Sequence, residues 1–215
     1  MSPATQIPLP NVALLADIVI PSHAAGIVLF AHGSGSSRHS PRNRHVAESL
    51  HAGGIATILT DLLTAEEERI DSQTAELRFD IPLLAQRLIG IADWASREPI
   101  LGNLGLGCFG ASTGAAAALV AAAERPHIVQ AVVSRGGRPD LAGMALHDVH
   151  APSLFIVGGE DREVLGLNEW AIARLPVDTE HRLEIVPRAT HLFEEPGALE
   201  RVASLARDWF QSHLS

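Results

Sequence analysis

Cysteine is almost missing. Cys108 stands alone among 215 residues, so the chain cannot build an intramolecular disulfide or a thiolate zinc site by itself. Positive charge is also short: Lys plus Arg number 16 against 25 for Asp plus Glu, a net charge of −9. A protein that tracks a nucleic-acid backbone needs the opposite balance, so no nucleic-acid partner is expected, although a local arginine cluster is compatible with the total. No apolar run approaches the ~20 residues of a membrane-crossing helix; the stretch Ala115–Ala123 falls far short. The opening MSPATQIPLP has neither a basic nor an apolar leader segment. These gaps together predict a soluble protein in a reducing, cytoplasmic setting, with no membrane contact.

What is present points to a packed core. The 47% hydrophobic share excludes a disordered chain, and 18 Gly with 13 Pro are too few for low complexity. No repeat or linker-like stretch breaks the sequence, which reads as one domain over 1–215. Short β-rich runs alternate with longer helical ones. Strands are expected at Asn11–Ile20, Gly26–Ala31, Ile55–Leu59, Leu104–Phe109, Ile128–Ser134, Ser153–Val157 and Leu183–Val186. Continuous apolar runs such as IVQAVVS and SLFIV suit central parallel strands covered on both faces. Helices are expected at Arg42–Ala52, Phe79–Arg97, Thr113–Glu124 and Glu163–Leu175, with a final amphipathic one through Leu199, Val202, Ala206 and Phe210. The pattern predicts an α/β fold of three layers, a mostly parallel sheet with helices on both faces.

The sharpest chemical signal is Gly110-Ala111-Ser112-Thr113-Gly114, placed where a strand hands over to a helix. G-x-S-x-G at such a junction describes a nucleophile elbow, a turn so tight that the serine is strained and its neighbours two positions away must lack side chains. The helix starting at Thr113 would aim its N–H groups at the same spot. Alone, the pentapeptide also fits an ordinary Gly/Ala-rich turn. A serine hydroxyl is a weak nucleophile and needs a base that is itself oriented by a carboxylate. Asp161 follows one later strand and His191 follows the next, in the order Ser, acid, His. Asp161 could equally cap the helix behind it; Glu160 and Asp140 are the competing acids, and Asp161 is preferred. His191 is the one histidine of 11 placed just past the last predicted strand. The glycine-loosened loop His32-Gly33-Ser34-Gly35-Ser36-Ser37 is expected to supply an oxyanion donor from the backbone of Ser34, with the second from Thr113.

Together, HGSGSS at 32–37, GASTG at 110–114, IVGGED at 156–161 and ATHLF at 189–193 make the chain resemble a small α/β-hydrolase of the dienelactone-hydrolase-like group. That resemblance implies a catalytic triad of Ser112, Asp161 and His191 and an esterase-like acyl transfer without metal or organic cofactor. Dienelactone hydrolases proper are known for a cysteine nucleophile, so serine in the elbow favours a plain ester over a lactone. Only 19 positions separate Ser134 from Ser153 and aromatics are scarce, so no lid domain is expected and the substrate is expected to be a small, short-chain carboxylic ester. A lactone or thioester hydrolase, a perhydrolase and a non-catalytic binding protein remain alternatives. A homo-oligomer is left open.

Four further features stand outside these motifs. Gly105-Leu106-Gly107-Cys108-Phe109-Gly110 matches G-x-G-x-x-G, but its glycines fall within a strand, the wrong context for a dinucleotide. His147 and His150 have metal-like spacing without a third ligand, and Glu66-Glu67-Glu68 reads as a solvated connection. Arg38, Arg135 and Arg138 lie near strand carboxyl ends and are candidate substrate-binding residues for a carboxylate or phosphate; pairing with acids such as Asp140 is the competing reading.

Overall fold

The computed structural model describes residues 4–214. Eight strands form one sheet in the order β1-β2-β4-β3-β5-β6-β7-β8: β1 Thr5–Pro8, β2 Ala13–Val19, β3 Gly26–Ala31, β4 Ile55–Thr60, β5 Gly105–Ala111, β6 Val129–Arg135, β7 Ser153–Gly158 and β8 His181–Val186. The pairs β1–β2 and β2–β4 are antiparallel, and every other neighbouring pair is parallel. Six α-helices join them: α1 Pro41–Ala52, α2 Ala65–Thr74, α3 Ile81–Ala95, α4 Thr113–Glu124, α5 Arg162–Ile172 and α6 Ala198–His213.

The strand period of two sorts the core. In β3 all six residues are buried, with Ile27, Leu29 and Ala31 in one apolar cluster and Val28 and Phe30 in the other. The first cluster takes in α3, α4 and part of α5, whereas the second is closed by α1 and α6. The alanines of α4 make its close approach affordable: Ala115, Ala116, Ala117 and Ala118 are fully buried. No helix is long and apolar enough to cross a membrane among the described residues.

The parallel arrangement sets up the site. Five adjacent strands, β3, β5, β6, β7 and β8, run the same way, so the segments following them emerge at one edge of the sheet. That edge is where open α/β sheets bind ligands. Residues 136–152, between β6 and β7, hold a 3-10 stretch at Pro139–Asp148 that packs on α4, and no lid domain is inserted there.

Two expectations need correction. Glu66, Glu67 and Glu68 do not lie in a loose connection but in the first turn of α2. Thr64 and Glu67 form a reciprocal capping box there, and acids favour that positive end of a helix. β1 was not anticipated: it is a short edge strand whose place depends on pairing with β2.

Candidate active site

Ser112 occupies the bend between β5 and α4 at φ 50°, ψ −122°, a conformation costing about 1–3 kcal/mol for a residue with a Cβ. Its surroundings enforce the bend. The Ser112 N–H donates to Arg135 O at 3.2 Å, and Ser112 O accepts from the N–H groups of Ala115 and Arg138 at 3.1 and 3.0 Å. The flanking glycines are obligatory by contact: a Cβ on Gly110 would lie 2.4 Å from Ala115 Cα, and one on Gly114 2.3 Å from Ala31 O.

Asp161 and His191 meet, as their order along the chain predicted. His191 Nδ1 lies 2.6 Å from Asp161 Oδ2, with the imidazole 40% and the carboxylate 15% exposed. Asp161 stands at the N-cap position of α5 but makes no capping bond from its side chain. The competing acids are elsewhere: Asp140 takes a bidentate bond from Arg138, and Glu160 is exposed. The loop carrying His191 is braced by Glu195, whose carboxylate accepts from the Thr190 N–H at 3.0 Å and the Thr190 hydroxyl at 2.6 Å. Those bonds hold the Glu195 carboxyl below its ordinary range.

Ser112 and His191 line one cavity of about 220 Å³ together with Ser34, Ala111 and Arg135. No hydrogen bond joins Ser112 to His191 in this structure. Ser34 is where it was expected, on the loop facing Ser112; a Cβ on neighbouring Gly33 would come within 3.1 Å of Ser112 Cβ. Thr113 is the first residue of α4, buried next to Ser112. His32 anchors the loop from beneath: its Nε2 accepts from the Leu62 N–H at 3.1 Å, which leaves Nδ1 to donate to Gly33 O at 2.9 Å. Burial pushes its pKa down, so the neutral form that makes both bonds is favoured.

The three candidate arginines part company. Arg38 is bound to Asp61 and Asp17 and opens onto an adjoining cleft of about 680 Å³ that shares Ser36 and Ser40 with the first. Arg138 is committed to Asp140. Neither lines the cavity of Ser112, and their pairing with carboxylates is the competing reading given above; of the three, Arg135 alone lines it with Ser112 and His191. Arg42 and Asn43 of α1 also line this cavity and were not singled out from sequence. The signal available was Ser40-Pro41, a cap and first-turn proline that start α1 directly after the glycine loop.

Cys108 is fully buried in β5, its thiol pushed up to about 12 by desolvation. His147 and His150 join no metal-binding group, since no cluster of three or more His, Cys, Asp or Glu is found among the described residues.

The chain is similar to known proteins over nearly its whole length. A dienelactone hydrolase from Anabaena variabilis is 60% identical, superposes with a TM-score of 0.96, and is matched over 99% of this chain and 97% of its own. Est1E from Butyrivibrio proteoclasticus, solved with ferulic acid, shares the fold at a TM-score of 0.82 and 15% identity, matched over 98% of this chain and 99% of that one. Two Mycobacterium tuberculosis proteins that carry the provisional name of a phosphoribosyl transferase are 58% identical over 197 residues, 92% of this chain. The chain spans 43% of the length of those curated relatives. No family model matches. On its fold and on the 60% identity of an end-to-end relative, the chain belongs to the α/β-hydrolases, in their dienelactone-hydrolase-like group.

Proposed function

We propose that this hydrolase-fold chain is a serine hydrolase that cleaves small, short-chain carboxylic esters through an acyl-enzyme. The observation that carries the reading is the 2.6 Å contact between His191 Nδ1 and Asp161, made by an imidazole that shares a cavity with Ser112. Asp161 fixes the ring with Nδ1 as donor, leaving Nε2 as the base. His191 removes the Ser112 proton as Oγ attacks the carbonyl carbon. The amides of Ser34 and Thr113 receive the developing oxyanion, and the positive end of α4 adds to that stabilisation. His191 then protonates the departing alcohol, and the acyl group remains on Oγ. In the second half water gives a proton to His191, its oxygen attacks the acyl carbon, and the acid leaves as Ser112 regains its proton.

A cavity of about 220 Å³ without a lid favours short acyl groups. Rates on p-nitrophenyl esters of rising chain length test this: acetate and butyrate are expected to exceed the long-chain esters. A preference for emulsified long-chain lipid would contradict it. A lactone is the second reading, favoured by the dienelactone hydrolase at 60% identity; comparing a lactone with a linear ester of equal carbon number separates the two. The longer mycobacterial relatives fit the same scheme if the activity in their name belongs to the part of those chains that lies beyond the shared 43%.

A further inference from the structure

Two guanidinium groups border the cavity of Ser112, Arg135 with no carboxylate partner and Arg42 with an exposed one. Arg135 closes β6 and is 6% exposed; its Nε is buried with no partner. Among the described residues no carboxylate lies within ion-pair distance of it. Its neighbour is the Phe193 ring, 5.9 Å from guanidinium carbon to centroid, which orients the group without cancelling its charge. Arg42, in the first turn of α1, likewise has a buried Nε with no partner. Its Nη1 reaches Glu194 at 3.4 Å, and that carboxylate is 67% exposed. Burial and the like charge of Arg42 bring Arg135 down to about 10.

This is not how the protein treats its other enclosed arginines. Arg38, Arg78, Arg87 and Arg138 each hold a carboxylate, from Asp61, Asp71, Glu67 and Asp140. An enclosed cation with no counter-ion is strongly unfavourable, and a second cation beside it adds to the penalty. A chain of net charge −9 has acids in surplus, yet supplies none to Arg135. The missing negative charge belongs to whatever fills the cavity.

We propose that Arg135 and Arg42 form a phosphate-binding subsite, and that the substrate is a short ester carrying a phosphoryl group on its acyl side, a few bonds from the scissile carbonyl. This deepens the ester-hydrolase reading and rests on it. Reach favours phosphate over carboxylate, because one group must touch two guanidinium groups while Arg42 keeps Glu194. A carboxylate carries one negative charge and two oxygens, enough for one guanidinium fork; a phosphate monoester carries about −1.5 to −2 and three oxygens, enough for both. Ser40 adds a donor, because its hydroxyl oxygen already accepts from the Asn43 N–H at 3.3 Å and its proton is free to face the cavity it lines. The phosphoryl group stays intact in the reaction: the acyl carbon–oxygen bond breaks, and water supplies the OH of the acid and the H of the alcohol.

Calorimetric titration with inorganic phosphate tests the subsite, on the wild type and on Ser112→Ala, Arg135→Gln and Arg42→Gln, each first checked for a cooperative melt. Phosphate is expected to bind the wild type and Ser112→Ala alike, and both arginine variants about tenfold or more weakly. Acetate is expected to bind the wild type about tenfold or more weakly than phosphate. Arg42→Gln, at the half-exposed mouth, keeps the test alive if Arg135→Gln fails to fold. In a second arm, kcat/KM for the p-nitrophenyl ester of 3-phosphonopropionate is divided by that for p-nitrophenyl butyrate; the ratio is expected to fall about tenfold or more in Arg42→Gln. Phosphate binding that ignores both arginines, or acetate binding as tight as phosphate, overturns the subsite. Phosphate binding with no ester cleavage on any substrate leaves the subsite standing and removes the ester-hydrolase reading instead.

Discussion

Asp161 stands where it could cap α5, and its side chain forgoes that bond to hold His191 Nδ1 at 2.6 Å. A cap bond is worth about 1 kcal/mol, so a carboxylate that turns away from it toward an imidazole serves the imidazole. The contact also joins the ends of two adjacent parallel strands, β7 and β8, so the sheet itself sets the separation of the two side chains.

Asp161→Asn is expected to keep the fold and lower kcat by about 10³–10⁴, because an amide can present its N–H to Nδ1 and stabilise the wrong tautomer. Steady-state rates on p-nitrophenyl acetate, with a thermal melt as the folding control, check it. A kcat within a few-fold of wild type removes Asp161 from the mechanism.

Cys108 precedes the elbow serine in β5 and is the one thiol of a chain whose relatives include a dienelactone hydrolase. With its pKa pushed up to about 12 and no exposed surface, it is expected to resist iodoacetamide at pH 8 in the folded protein and to react fully in urea. Alkylation of the folded protein with parallel loss of activity would point to the thiol.

Gly114→Ala puts a side chain into α4, which on an exposed helix gains about 1 kcal/mol. Here its Cβ would lie 2.3 Å from Ala31 O and 2.6 Å from His32 O, both backbone atoms. The expected result is destabilisation by about 2–4 kcal/mol in urea unfolding, with β3 and the glycine loop displaced from Ser112. A stabilised variant would mean that the approach of α4 to β3 is looser than described.

His32 makes stability depend on pH. Its folded pKa is lowered by burial from an ordinary 6.5. As pH falls below about 6.5 the unfolded chain takes up a proton that the folded chain refuses, so stability is full above that value and drains toward the lowered pKa. His51 shifts the same way and contributes to the same slope. Urea midpoints at pH 7.5 and 5.5 are expected to differ less in His32→Gln than in wild type. Equal differences would show that His32 is not held neutral.

Much of this arrangement was legible in the sequence because its determinants are local. β3 Gly26–Ala31 and α4 Thr113–Glu124 have the bounds that apolar runs and glycine punctuation suggested. The bend at Ser112 announces itself through Gly110 and Gly114. What was missed depends on distant partners. α2 has no apolar face to read, its one fully buried residue being Asp71, paired with Arg78. The cavity role of Arg42 follows from α1 lying beside the loop after β3, a tertiary relation no window of sequence contains. For Arg138 the sequence offered both a ligand contact and a pair with nearby Asp140, and the structure has the pair; the partner of Arg38, Asp61, lies 23 residues away and was not named.

The claim beneath all of this is that the Ser112 hydroxyl is an activated nucleophile. Treating the folded protein with a fluorophosphonate and locating the adduct by peptide mass spectrometry tests it directly. The account predicts one adduct, on Ser112, that disappears in Ser112→Ala together with ester hydrolysis. An unlabelled Ser112, or a Ser112→Ala variant that still turns over esters at the wild-type rate, would contradict it.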